Sequence, residues 1–393
     1  MLLVSFLGTG NYGKTRYTFN GQECETCYVA AALSALLQPD EVTILATQEA
    51  ETMHWQKLQD EIRRLKLPKL PTLNIRRIPS GGKSEELWQQ FEVILKAVTQ
   101  SSPLEVTFDI THGFRAQPFF AAAVINYLRI TLENAPNMQA VYGEYRKGEN
   151  DAPVESPIWD LSPFITLLDW SNALQSFMKT GHGGTLAKLA SAENARIQKS
   201  SGDNRPKNLK SLADGLGEFS ANVATVRCPQ LITGDDRKRG SASNVLKLIE
   251  ESQSEVEEHL KPLAPVLNSL RERLKDIPAP SLFDEVGHKA MSALAKLYLE
   301  YERYPEALIT MREGWVSLYA NMDRKDEVLL TKEEREETEE HFRKAEGDNA
   351  RIIGGVRNDI EHGGFRDQPK PAKTLREQTE KLVNDFAKVQ PKK

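Results

Sequence analysis

The chain has 393 residues, 39% hydrophobic and 27% charged, with a formal net charge of −5. That length allows two or three domains with buried cores, and the acidic balance argues against a broad basic face for nucleic acid while leaving room for a local groove. Three cysteines make no disulfide framework, no apolar run approaches the ~20 residues that span a bilayer, and MLLVSFLGTG lacks the form of a signal peptide, so a cytoplasmic protein with no membrane association is expected.

Strand and helix signals alternate over the first 150 residues. Leu2–Leu7, Glu41–Ala46, Thr72–Ile78, Leu104–Asp109 and Gln139–Tyr145 predict five strands. Between them, Glu25–Leu37, Glu49–Leu65, Ser84–Val98 and Phe114–Leu132 carry helical periodicity. Strands and helices in this order predict a Rossmann-like α/β domain with a parallel sheet. Such sheets bind ligands beyond the carboxyl ends of their strands. The glycine-rich and polar loops fall at those ends: Gly8–Gly13, Thr47, Ser80–Gly82, Thr111–Arg115 and Gly143.

The proline-rich Ala152–Pro163 marks the expected end of this first domain, residues 1–158. The remainder, 159–393, reads as almost wholly helical. Its expected helices are Trp159–Thr180, Thr185–Lys199, Leu209–Val226, Asn244–Lys275, Phe283–Tyr301, Tyr304–Asn321, Lys332–Lys344, Asn349–Glu361 and Pro371–Val389. The overall expectation is an α/β domain followed by an all-α region.

Gly8-Thr9-Gly10-Asn11-Tyr12-Gly13-Lys14-Thr15 satisfies both GxGxxG and GxxxxGK[ST]. Both motifs need a helix that begins at the last glycine, because the phosphate rests on a helix N-terminus. The next residues, Arg16-Tyr17-Thr18-Phe19-Asn20-Gly21, alternate aromatic and β-branched side chains before Asn-Gly, a hairpin pattern. Thr47, not an acid, closes the second strand. The loop is read as backbone able to approach some other phosphate-bearing ligand, and a P-loop NTPase with a helical output domain is the alternative. Asp109-Ile110-Thr111-His112-Gly113-Phe114-Arg115 adds hydroxyl, imidazole, backbone and guanidinium groups at the mouth of the fourth strand. Those groups suit an anion or a ribose, and the plainer reading is that Asp109 or Thr111 caps the next helix.

Near the C-terminus, Arg357-Asn358-Asp359-Ile360-Glu361-His362 lies between Gly354-Gly355 and Gly363-Gly364. On a helix, Asn358 and His362 share a face. An imidazole can move a proton near neutral pH, and a guanidinium can hold the oxygens of a phosphodiester as charge builds. The plainer reading is a His at a helix end, favourable with the dipole and paired with a nearby carboxylate. No metal-ligand cluster accompanies His362 in the sequence.

Leu7-Gly8-Thr9-Gly10-Asn11-Tyr12, Thr47 and above all Asp109–Arg115 resemble the CARF domain of CRISPR-associated type III ancillary ribonucleases. Arg357-Asn358 and His362 resemble the signature of the HEPN domain that comes after CARF in that family. The resemblance implies a homodimer whose CARF domains bind one cyclic oligoadenylate, with cyclic tetra-adenylate expected and cyclic hexa-adenylate as the other ring size. Gly8–Tyr12, Thr47, Ser80, Gly81, Gly82, Thr111, His112, Gly113, Phe114 and Arg115 would line that pocket. It further implies metal-independent cleavage of single-stranded RNA, with Arg357, Asn358 and His362 from both copies as the catalytic groups and no cofactor. A CARF sensor without nuclease activity is the remaining alternative.

Overall fold

The computed structural model describes residues 1–101, 103–112, 117–132, 134–147, 152–201, 207–235, 238–259, 261–322 and 331–390. The chain divides into two compact units, Met1–Asp169 and Trp170–Lys393.

In the first unit the chain runs β1 (Leu2–Leu7), β2 (Thr15–Phe19), β3 (Gln22–Thr26), α1 (Val29–Leu37), β4 (Glu41–Ala46), α2 (Gln48–Arg64), β5 (Thr72–Arg77), α3 (Ser84–Ser101), β6 (Glu105–Asp109), α4 (Gln117–Thr131), β7 (Asn137–Gly143) and β8 (Glu155–Asp160). The strands lie in the order β3-β2-β8-β7-β6-β1-β4-β5. β1 is buried at all six positions, as a strand covered on both faces must be, and so reads as an unbroken apolar run. It pairs in parallel with β4 and β6, and β4–β5, β6–β7 and β2–β8 are parallel too.

Two departures from an all-parallel sheet arise from local chemistry. Asn20 and Gly21 take positive φ, 50° and 76°, so a tight turn joins β2 and β3 as an antiparallel hairpin. Thr15 therefore opens a strand where a P-loop needs a helix, and Lys14 Nζ lies 2.5 Å from a carboxylate oxygen of Glu25. The second departure is β8, antiparallel to β7 and unforeseen in a proline-rich stretch read as the end of the domain. Pro157 within it has no N–H to give to a ladder, which hides a strand from pattern reading.

The second unit is helical. α5 (Ser162–Thr180) runs across the division, followed by α6 (Gly184–Ser201), α7 (Asn208–Ala224), α8 (Cys228–Ile232), α9 (Ser241–His259), α10 (Ala264–Leu274), α11 (Glu285–Glu300), α12 (Tyr304–Met322), α13 (Lys332–Glu346), α14 (Asp348–Glu361) and α15 (Ala372–Phe386). The single helix expected over Asn244–Lys275 is two, α9 and α10, with a proline at the start of α10, where its missing N–H is harmless. Phe177, Phe219, Tyr298, Trp315 and Phe386 anchor the core. α14 buries Ala350, Ile353 and Val356 against that core and ends its inward stripe on a carboxylate, Asp359.

Candidate functional site

In the first unit, β4 and β6 flank β1 on opposite sides. Successive connections thus turn in opposite directions around β1, the arrangement that leaves a ligand crevice beyond the carboxyl ends of the strands. A cleft of about 600 Å³ opens at those ends, lined by Thr9, Thr47, Gln48, Arg77, Pro79 and Ser80 among others. Three of the expected binding residues, Thr9, Thr47 and Ser80, meet there. Thr47 caps α2, its hydroxyl accepting from Ala50 N at 3.3 Å, which turns the N-terminus of that helix toward the cleft. Arg77, not singled out in the sequence, is held by Glu51 at 2.6 Å.

Ser80, Gly81 and Gly82 form a concave set of donors, with Gly81 at φ 82°. Ser80 Oγ, Gly81 N and Gly82 N all point at one oxygen, Oε2 of Glu86, at 3.3, 2.9 and 3.0 Å. Such nests bind anions, and here a carboxylate of the same chain takes the place a phosphate oxygen would take. Glu86 was missed; the signal for it is an acid in the first turn of a helix shortly after Ser-Gly-Gly.

Gly10 and Asn11 are exposed in the glycine loop, whereas Tyr12 is part-buried. Its hydroxyl accepts from Gly8 N and donates to Gly8 O, both at 2.9 Å. The Tyr12 ring packs 4.3 Å from that of His112, 4.7 Å from His54 and 5.1 Å from Tyr28, and Tyr28 Oη lies 3.1 Å from His54 Nδ1. Burial pushes the Tyr12 phenol up to about 12 and holds both imidazoles below their ordinary range. Nε2 of His54 and Nε2 of His112 are buried without a hydrogen-bond partner among the described residues. His54 and Tyr28 carry no motif, and only their packing reveals them.

Asp109 is fully buried. It accepts from Ser5 Oγ at 2.6 Å and Thr111 N at 2.9 Å, and from the Thr111 hydroxyl. That hydroxyl in turn accepts from Gly143 N at 2.8 Å. Asp109 and the Thr111 side chain thus tie the end of β6 to β1 and β7. The other residues expected in this loop, Gly113, Phe114 and Arg115, lie outside the described residues.

In the second unit, Arg357 and Asn358 lie in the last turn of α14 and His362 is its C-cap. Asn358 and His362 are exposed, joined through the backbone by His362 N to Asn358 O at 3.0 Å. Arg357 Nε donates to Glu361 Oε1 at 2.7 Å, with the two side chains 35% and 38% exposed. Asp359, which with Glu361 is a carboxylate that could pair with His362 on the plainer reading, is buried and pairs elsewhere. Its Oδ2 accepts from Lys370 N at 3.0 Å and lies 3.5 Å from Arg366 Nη1. The segment after His362 is thereby fastened back onto α14. The exposed imidazole and the guanidinium start about 140° apart around the helix, a separation the long Arg357 side chain can span, so that between them they can hold a phosphate and move a proton.

Residues 2–145 match the family described as CRISPR system endoribonuclease Csx1, CARF domain. Residues 166–281 match the second domain of CRISPR-associated protein MJ1674. The chain is 26% identical over 124 residues to CRISPR-associated protein MJ1674 of Methanocaldococcus jannaschii, an alignment that covers 30% of this chain and 19% of that protein. α14 and its Arg357–His362 segment lie beyond both matched stretches.

Proposed function

We propose that this chain, whose first unit is a CARF domain of the CRISPR-associated kind, is an endoribonuclease switched on by a cyclic oligoadenylate in type III CRISPR defence. The observation that carries the reading is the coexistence, in separate units, of a CARF domain with a phosphate-sized donor set and a half-buried Arg357 beside exposed Asn358 and His362 at one helix end. The ring's phosphates meet the Thr9, Thr47 and Ser80–Gly82 donors. Cyclic tetra-adenylate is the expected ring. Two copies of the chain act together, which the apolar outer surface of the first unit supports: Trp88, Phe119 and Ile130 are each about 70% exposed, unusual for a face left in water.

The reaction needs no metal. The 2′-OH of the RNA attacks the adjacent phosphorus, the bond to the 5′-oxygen breaks, and the products are a 2′,3′-cyclic phosphate and a 5′-OH. His362 takes or returns the proton. Arg357 holds the non-bridging oxygens as charge builds on them. Asn358, an i,i+4 neighbour of His362, orients the imidazole or the phosphate. End-group analysis of the RNA fragments tests the chemistry: a 2′,3′-cyclic phosphate at the 3′ end supports it, and a 5′-phosphate on the downstream fragment excludes it.

One observation favours a second reading, a CARF sensor that acts without cutting RNA. The matched second domain, residues 166–281, ends well before Arg357. On that reading His362→Ala leaves every activity of the chain unchanged.

A further inference from the structure

The turn after His362 presents two side chains that the cleavage chemistry of Arg357, Asn358 and His362 does not use. Gly363 and Gly364 both sit at positive φ, 58° and 75°, a region that glycine enters without strain. Their N–H groups donate back to Ile360 O and Asp359 O, each at 3.0 Å, and Phe365 N donates to His362 O at 3.0 Å. The chain therefore reverses at once beyond α14. Arg366 returns along the helix, its Nη1 3.3 Å from Gly355 O and 3.5 Å from the buried Asp359 carboxylate. Gly355, Asp359 and His362 fall within about 60° of one another around a helix that turns 100° per residue, so the Arg366 guanidinium lies on the strip of α14 that leads to His362.

Arg366 is held but not hidden: its side chain remains 42% exposed. Phe365 beside it is 93% exposed, the highest value among the exposed large apolar side chains of the described residues. The helix surface next to this pair is open, since a Cβ added at Gly354 or Gly355 would meet nothing within 4 Å. A guanidinium that merely ties the returning chain to α14 through Gly355 O and Asp359 accounts for Arg366 alone. It does not account for a phenyl ring placed in water next to it. An aromatic face beside a fixed cation is what single-stranded nucleic acid requires, because any base can stack on the ring while the cation holds a phosphate.

We propose that the Gly363–Arg366 turn is a substrate subsite for single-stranded RNA, in which Phe365 stacks on a nucleobase and Arg366 holds the phosphate beside the scissile one. Asp359 is the positioning residue for Arg366. The inference rests on the ribonuclease reading and adds to it where the strand is gripped.

The test is steady-state cleavage of a labelled RNA by the full chain with cyclic tetra-adenylate, separating KM from kcat. Phe365→Ala raises KM about 5- to 100-fold and changes kcat less than two-fold, and Phe365→Tyr restores KM. The loss disappears on an RNA with an abasic site at the stacked position. Arg366→Gln weakens the inactive His362→Ala chain's binding to the same RNA and lowers the slope of log affinity against log salt by about one. An unchanged KM in Phe365→Ala, with wild type active, overturns the subsite alone. So does dissociation of a dimer by Phe365→Ala, which would make the ring a contact between copies. If wild type cuts nothing with either ring, the ribonuclease reading falls and the subsite with it.

Discussion

Arg357 Nε lies 2.7 Å from Glu361 Oε1, so the guanidinium assigned to the phosphate is held by a carboxylate one turn along its own helix. An exposed i,i+4 pair adds little to stability, about 0.5 kcal/mol or less. On the proposed ribonuclease reading its effect is on function: without RNA it fixes the guanidinium, and a phosphate entering the site competes with Glu361. Arg357→Ala is expected to lower kcat/KM by about 100- to 1000-fold. Arg357→Lys does not restore it, because an ammonium lacks the forked donors. Glu361→Gln lowers KM for RNA with little change in melting temperature. Steady-state kinetics beside thermal melts check all three.

The Glu86 carboxylate occupies the donors of Ser80, Gly81 and Gly82, so a ring phosphate that uses them must displace it. Glu86→Ala is expected to bind cyclic tetra-adenylate about 3- to 10-fold more tightly, the order of one net hydrogen bond. Titration calorimetry measures this. Weaker binding would mean that Glu86 builds the nest and does not compete for it.

Burial holds the imidazoles of His54 and His112 below the ordinary value of 6.5. Unfolded, both protonate near that value; folded, only at lower pH. Between the two, the unfolded chain binds more protons, so stability is fully present above the unfolded value and is lost as pH falls through the folded one. The melting temperature of the full chain should fall as pH drops below about 6.5, the unfolded value. The slope flattens when His54 and His112 are both replaced by Phe.

Asp359 is 1% exposed and anchors Lys370 N and Arg366. Asp359→Ala leaves Lys370 N without its acceptor and Arg366 with Gly355 O alone, and is expected to cost about 1–3 kcal/mol, read by urea unfolding. It also reduces RNA cleavage without removing any group that touches RNA. Asp359→Asn, which keeps an acceptor, loses less of both.

Phe119, Tyr127 and Ile130 lie within about 80° of one another around α4 and are 76%, 46% and 69% exposed. Tyr127 continues through Phe91 to Trp88 in edge-to-face contacts. If a second copy covers this face, Phe119→Glu with Ile130→Glu converts a dimer to a folded monomer and abolishes ring-activated cleavage. Sedimentation measures the first effect and the cleavage assay the second.

The five parallel strands and most helices were legible because their residues repeat with the period of the element they form. The β2–β3 hairpin was legible from Asn20-Gly21, and it removed the P-loop reading by putting a strand where a helix was needed. β8 was not, because Pro157 breaks the pattern of a strand without breaking the strand. At the sites, sequence named Thr9, Thr47 and Ser80, which share a cleft, because strand ends announce themselves by glycine and hydroxyl residues. It did not name Glu86, although an acid follows Ser80–Gly82 within four residues, and it could not name His54, whose surroundings come from tertiary neighbours distant in the chain. Nor could it foresee that the Thr111 and Tyr12 hydroxyls are engaged inside the domain.

Ring-dependent, metal-independent cutting at His362 is tested most directly by cleavage of a labelled single-stranded RNA in EDTA, with and without cyclic tetra- and hexa-adenylate, comparing wild type with His362→Ala. The expected result is cutting that needs a ring, survives EDTA and vanishes in the variant. No cutting with either ring, or cutting that His362→Ala leaves intact, contradicts it.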